Sequence, residues 1–306
     1  MKLHISIILA STYLLSFFSN KAMAQNAPKV DTTDLMASLE NENTNSSNKT
    51  NYTTATFKTT RLINGHTVEN IAKGVLDVKI SHRFGTLNRG AYELFGLDNA
   101  TMRMGFDYGI TNNIMIGVGR STFQKTFDGF IKVKLLRQSS GKINMPIAVS
   151  YVATIALNSL KFTDTSRKNL FSSRLSYTHQ LIIGRKFSEK TSLQIMPTFV
   201  HRNLAEAGEK NDILAIGIGG RQKLSKRISI NAEYYYQIPS YQPANSTNAL
   251  SIGFDIETGG HVFQLHFTNA KGMAEKNFIT ETTGLWGKGD VLFGFNISRV
   301  FTIGKQ

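Results

Sequence analysis

Val75-Leu76-Asp77-Val78-Lys79-Ile80-Ser81-His82-Arg83-Phe84 is the stretch that decides the fold. Positions 76, 78, 80, 82 and 84 are mostly apolar, while Asp77, Lys79, Ser81 and Arg83 are polar or charged. Only an extended strand sorts a period of two onto opposite faces; a helix would scatter it. The next segment repeats the pattern, with Met102, Met104, Phe106, Tyr108 and Ile110 set against Thr101, Arg103, Gly105, Asp107 and Gly109.

Carried along the chain, the same test predicts ten further strands. They are Ile114–Phe123, Phe130–Gln138, Pro146–Leu157, Phe171–Phe187, Leu193–Arg202, Ile213–Leu224, Ile228–Ile238, Ala249–Glu257, His261–Asn269 and Asp290–Ile303. Most have nine or more residues, the length a tilted strand needs to cross hydrocarbon, where strands of soluble sheets average about five or six. The connections alternate as well. Those after even-numbered strands are short, such as Thr111-Asn112-Asn113 and Ser225-Lys226, and those after odd-numbered strands are mostly longer, such as Gly85–Ala100 and Ala270–Gly289. This asymmetry predicts an up-and-down antiparallel transmembrane β-barrel of about twelve strands, with short periplasmic turns, longer outer loops and both ends in the periplasm. Closure would also remove the unpaired sheet edge that lipid does not tolerate. A secreted β-sandwich is the competing fold.

The chain before Val75 reads differently. Lys2, the apolar Ile5–Phe18 and the small-residue site Ala22-Met23-Ala24 predict a signal peptide, 1–24, cleaved after Ala24, despite Lys21 beside the cut. Residues 25–56, rich in Asn, Thr, Ser, Glu and Lys, predict a disordered periplasmic tether. Residues 57–74 are too structured in composition for a linker. Lys58, Arg61, His66 and Glu69 would enter the barrel from below as a plug or cap it, and a simple periplasmic turn at Asn64-Gly65 reads equally well. The barrel itself would occupy 75–306.

Composition bounds the chemistry. With no cysteine there is no lipidation site, disulfide or thiolate metal site. The net charge of +14 falls to +12 without Lys2 and Lys21, and in an exported protein it points to acidic lipid headgroups or anionic solutes, not nucleic acid. Gly117-Val118-Gly119 and Gly217-Ile218-Gly219 start like dinucleotide loops, but each lacks the third glycine and lies within a strand. None of His66, His82, His179, His201, His261 or His266 has a serine two positions later, as a lipid-hydrolysing barrel would, and the histidines show no metal-ligand spacing. No catalytic residue, cofactor or metal is therefore expected.

The two strand parities assign faces. On or near the apolar one lie Phe84, Tyr108, Phe130, Phe171, Phe199, Tyr234, Tyr236, Phe254, Phe263, Phe267, Phe293 and Phe295, several near strand ends as an aromatic girdle requires. The opposite parity would line the lumen with Lys79, Arg83, Arg103, Lys132, Lys134, Arg174, Arg202 and Arg221 against Asp77, Asp107, Glu233, Asp255 and Glu257. That lining is mildly cationic. It suits either an anion-favouring path or a lumen filled by ion pairs, since about eight strands give a packed interior and about sixteen an open channel. In the first outer loop, Ala91–Leu97 looks like a helical turn whose apolar residues would fold inward and constrict the mouth.

Four segments carry a resemblance. Phe57-Lys58-Thr59-Thr60-Arg61-Leu62-Ile63-Asn64-Gly65-His66, Ile80–Gly85, Tyr92–Asp98 and Lys125–Gly129 resemble an uncharacterised outer-membrane β-barrel family of Bacteroidota, domain of unknown function 5777. The likeness runs from Phe57 to the end, with Thr67 where serine is expected. It implies the barrel and the bacterial outer membrane but no activity. The aromatic last strand also resembles the signal read by the barrel-assembly machinery, although residues trail Phe301. The expected function is a narrow or gated pore for small polar or anionic solutes. The alternatives are a closed structural barrel binding a surface partner or lipopolysaccharide through Lys161, Arg167, Lys168, Lys271 and Lys276, and, weakest, a lipid hydrolase.

Overall fold

The structure is a computed structural model that describes residues 49–162, 166, 168–259 and 261–304. The signal peptide, tether residues 25–48 and Arg167 lie outside the described residues. The barrel unit starts at Thr50. Twelve antiparallel strands close on themselves. Two three-residue strands, β1 (Thr50–Tyr52) and β6 (Ser139–Gly141), pair separately. The wall consists of β2 (Val75–Thr86), β3 (Ala100–Gly109), β4 (Ile114–Ser121), β5 (Phe127–Leu136), β7 (Ala148–Leu157), β8 (Leu175–Lys186), β9 (Thr191–Arg202), β10 (Asp212–Lys223), β11 (Ile228–Gln237), β12 (Ala249–Thr258), β13 (His261–Thr268) and β14 (Leu292–Thr302).

Each strand pairs with its sequence neighbours in the wall, and β14 closes on β2 from Thr302↔Val75 up to Leu292↔Thr86, with a bulge between Leu292 and Gly294. The rims match the predicted asymmetry. Short turns join β3 to β4, β8 to β9, β10 to β11 and β12 to β13 at one rim, where β2 also begins and β14 ends. The longer loops crowd the other.

Burial follows the two-residue period around the wall. In β3, Thr101, Arg103, Gly105, Asp107 and Gly109 are buried while Met102, Met104 and Phe106 are exposed, so the polar parity faces the interior and the greasy parity faces out. This is the inverse of a water-soluble sheet and the arrangement that lipid enforces.

Four expectations need correction. Phe130 does not belong to the outward girdle: β5 starts three residues earlier than predicted, and Phe130 is inward and 7% exposed. Phe171 and Arg174 lie in a short 3-10 turn before β8, so neither belongs to the wall. Tyr92, 96% exposed, and Leu94, Phe95 and Leu97, each more than half exposed, are not packed into the barrel as the inward fold would require. Leu94 and Phe95 take left-handed backbone there, and Gly96, also at positive φ, packs on the Gly85 backbone where any Cβ would collide. The tether is ordered from Thr50: β1 pairs with β6, and the Thr53 amide donates to the Gln138 carbonyl at 2.8 Å.

Two measurements test the assignment of faces. Ile195→Arg places a charge on the outward face of β9 and should cost about 2–4 kcal/mol in reversible urea unfolding from phospholipid vesicles. Phe130→Ala opens a cavity in a packed interior and should cost about 3 kcal/mol, clearly more than Phe254→Ala on the outward face, where lipid fills the gap.

Candidate functional site

The interior of the barrel is occupied by chain from both ends. From the short-turn rim, Thr53–Gly74 enters as a re-entrant hairpin before β2. Its apex is the Asn64-Gly65 pair that the sequence reads as a turn, but the turn lies inside the lumen: Arg61 bridges His66, the Leu62 amide donates to the Gly65 carbonyl at 2.8 Å, and the Thr67 amide donates to the Thr60 carbonyl at 3.0 Å.

The wall recognises this hairpin through its backbone. The Glu233 carboxylate of β11 accepts from the amides of Ile63, Asn64 and Gly65 at 3.3, 2.8 and 3.1 Å. Three donors on one carboxylate make a nest that fixes the apex. Gln264 donates to the Leu62 carbonyl at 2.8 Å, Asn296 to Ile63 at 2.9 Å, Gln194 to His66 at 2.8 Å and Lys132 to Glu69 at 2.5 Å. Arg83 donates to the Asn64 side-chain oxygen at 2.8 Å. Gly65 itself lies against the Tyr235 hydroxyl, and a Cβ there would collide with it.

Apolar packing completes the fit. Phe57, Leu62, Val68 and Ile71 of the hairpin join inward Met115, Val152, Ile182, Met196, Val200 and Ile213 in one buried cluster. Glycines on the inward parity make room for it: a Cβ at Gly219 would strike Leu62, one at Gly184 would strike Val68, and one at Gly117 would strike Phe130. The Gly-x-Gly pairs of β4 and β10 are therefore clearances for side chains inside the barrel, not phosphate loops.

From the opposite rim the β13–β14 loop folds inward, a feature that sequence reading missed. Its helix α1 (Glu275–Thr280) is buried at every residue. Phe278 packs edge-on against Tyr235 at 5.0 Å between centroids. The Gln124 side-chain oxygen in the β4–β5 loop accepts from Lys276 and Asn277, both at 3.3 Å. Gln124 and Lys125 both have positive φ, a strained backbone that persists where surrounding contacts over-determine it. Lys276, expected as an exposed loop cation, is instead buried and paired with Glu281; Lys161, Lys168 and Lys271 are exposed.

The two inserts meet at one ion pair. Arg61 Nη1 of the hairpin donates to Glu275 Oε1 of α1 at 2.6 Å, with His66 Nε2 3.3 Å from the same oxygen. Phe130 flanks both, 4.5 Å from the His66 ring centre and 5.7 Å from the Arg61 guanidinium carbon. A cavity of about 560 Å³ lies at each mouth, one lined in part by Arg174, Arg202 and Glu281, the other by Phe57, Ile71 and Val300. The two share no lining residue, so the inserts separate them.

Most of the expected lumen charges are where parity puts them. Asp77, Lys79, Arg83, Arg103, Asp107, Lys132, Arg202, Arg221, Glu233 and Asp255 are buried inward, while Lys134 and Glu257 are half-buried beside Glu69 and Lys58. Lys79 sits 2.6 Å from Asp107 and 3.0 Å from Asp77, and Arg202 lies 2.9 Å from Glu209. Asp128 was missed. It is inward on β5 and accepts from Arg103 Nε at 2.9 Å, and its parity with Lys132 was the signal. With Arg174 off the wall and Asp128 on it, the lining is close to neutral instead of cationic. Among the described residues, no group of three or more His, Asp or Glu side chains is placed to hold a metal.

Some solved structures are distantly similar to this chain. The NanC porin shares 9% identity at TM-score 0.45, covering 75% of this chain and 100% of that one. The KdgM porin shares 9% at 0.44, covering 74% and 99%. The COG4313 outer membrane channel from Pseudomonas putida F1 shares 13% at 0.41, covering 76% and 98%. At these identities the likeness concerns the fold alone. No curated protein matches the sequence. The family model described as "Membrane bound beta barrel domain (DUF5777)" matches residues 57–301, from within the lumenal hairpin into the last strand, and the chain belongs to that family.

Proposed function

We propose that this protein is an outer-membrane barrel acting as a gated pore for small polar solutes, closed by its own hairpin and by α1. The outer membrane is the compartment that suits a membrane-bound barrel with this turn asymmetry. The observation that carries the reading is the Arg61–Glu275 contact, through which two segments entering from opposite rims close one another. The segments fill space that a twelve-stranded wall leaves open, because about eight strands is the size at which wall side chains alone fill the interior. Polar wall groups such as Arg83, Lys132, Gln194 and Glu233 hydrogen-bond the hairpin now and would face water once it leaves. With a near-neutral wall, selection would rest on size and polarity more than on charge, and the role is transport, not catalysis.

Planar-bilayer recording tests this. The mature protein should be closed or open only briefly, and deletion of 25–69 should give a steady current; a deletion variant that folds yet never conducts would leave the closed structural barrel as the answer.

Single substitutions probe the contact itself. Removing one partner of a buried pair costs about 3 kcal/mol, so Glu275→Gln or Arg61→Ala should raise open probability on the order of a hundredfold. The double variant should open no more than either single one if the two residues act through each other.

A further inference from the structure

We infer that the outward surface of β3, β4 and β5 carries a binding site for one phosphorylated glycolipid of the outer leaflet, with Arg120 as its phosphate ligand. The inference uses the barrel and its orientation but not the gate.

Arg120 is anomalous for its place. In the loop-side half of the wall, the outward parity of the described strands is otherwise Phe84, Met102, Met104, Ile131, Ile155, Leu175, Tyr177, Tyr236, Phe267, Phe293 and similar residues. It has one ion pair, His201 with Asp212 at 2.6 Å, and one Lys or Arg, which is Arg120. The other outward arginines, Arg185 and Arg299, lie at the short-turn rim on β8 and β14. Among the described residues Arg120 has no acidic partner. Its guanidinium carbon lies 5.3 Å from the Phe127 ring centre, which holds the cation over a ring without neutralising it. Met104 and Phe127 are its cross-strand neighbours, so it is flanked by apolar groups on both sides.

Around it runs a groove. A cavity of about 400 Å³ on the outer surface is lined by Met102, Met104, Phe106, Val118, Thr122 and Phe127, with Arg120 itself. It spans the rows from Phe106↔Val118 to Met102 beside Thr122, four residues along the strand or about 13 Å. Arg120 stands midway along it on the Met104 row, with Phe106 and Val118 on the short-turn side and Met102 and Thr122 on the loop side. The Thr122 hydroxyl accepts from the Met102 amide at 2.9 Å, so hydrogen bonding fixes this end of the groove.

A shallow apolar groove with an unpaired guanidinium at its middle is complementary to the head-group end of an acyl chain and the phosphate beside it. Arginine forms forked hydrogen bonds with phosphate, and the surrounding hydrocarbon strengthens them. The phosphate also offsets the cost of an unpaired cation at the lipid boundary. The β4–β5 hairpin has the shortest of the loop-side connections, Thr122–Thr126, so the wall is low here and phosphate groups of the outer leaflet can reach Arg120.

Native mass spectrometry of the purified full-length mature protein, with diphosphoryl lipid A, dephosphorylated lipid A or phosphatidylglycerol added in detergent, tests the site. Wild-type protein should retain diphosphoryl lipid A about tenfold better than Arg120→Gln does, whereas dephosphorylated lipid A should be held weakly and equally by both. Val118→Trp, which fills the groove and leaves the arginine, should also lose retention, and Arg120→Lys should recover part of it. Heat-modifiable gel mobility confirms folding of each variant, and Val118→Trp serves if Arg120→Gln does not fold. Equal retention by wild type and Arg120→Gln would mean the arginine merely reaches for interfacial water, and would sink the proposal. Equal retention of phosphatidylglycerol would overturn the choice of lipid, and unchanged binding by Val118→Trp would overturn the groove. None of these readouts depends on conductance, so the pore reading stands or falls separately.

Discussion

A sheet closed in lipid satisfies every backbone group of its wall and so solves one problem, but closure creates another. Twelve strands enclose a cylinder that inward side chains alone do not fill, and a dry void would forfeit the packing contacts on which interiors rely. Chain from both rims occupies that volume here, and most other features follow. Inward glycines at 117, 184 and 219 make room, Glu233 and its polar neighbours bind a foreign backbone, and the apolar cluster gathers where the hairpin leans on β4 to β12.

The wall was legible because its rule is local. Lipid outside and polar groups inside force a two-residue alternation that no distant contact modifies, and so all twelve strands can be read directly, with errors only at their ends. Those end errors had consequences. Starting β5 at Phe130 instead of Phe127 put an inward aromatic in the girdle and left Asp128 out of the lining. Letting β8 run back to Phe171 turned a mouth residue, Arg174, into a wall residue.

The contents of the lumen were half legible. Hairpin residues 57–74 stood out because Leu62, Ile63, Val68 and Arg61 do not suit a linker, yet periodicity carries no information about which side of a rim a turn occupies. Helix α1 left no comparable trace. Glu275-Lys276-Asn277 reads as an exposed loop, and only the meeting of Glu275 with Arg61, 214 residues away in sequence, makes its burial tolerable. The first loop misled for the opposite reason: its apolar residues invite burial, but they stay exposed where the Gly85–Gly96 contact pins the loop.

One consequence concerns topology. Both ends of the lumenal hairpin emerge at the rim where β2 begins; inside the lumen its hydrogen bonds to the wall run through side chains, and at its base the Gly74 amide donates to the Gly109 carbonyl. It can be drawn out toward that side as a bight of rope leaves a ring, with no wall hydrogen bond broken and no terminus passed through the hole. Helix α1, slung between β13 and β14, can be lifted the other way on the same terms. The cylinder could thus be emptied from either end while its circumference stayed intact.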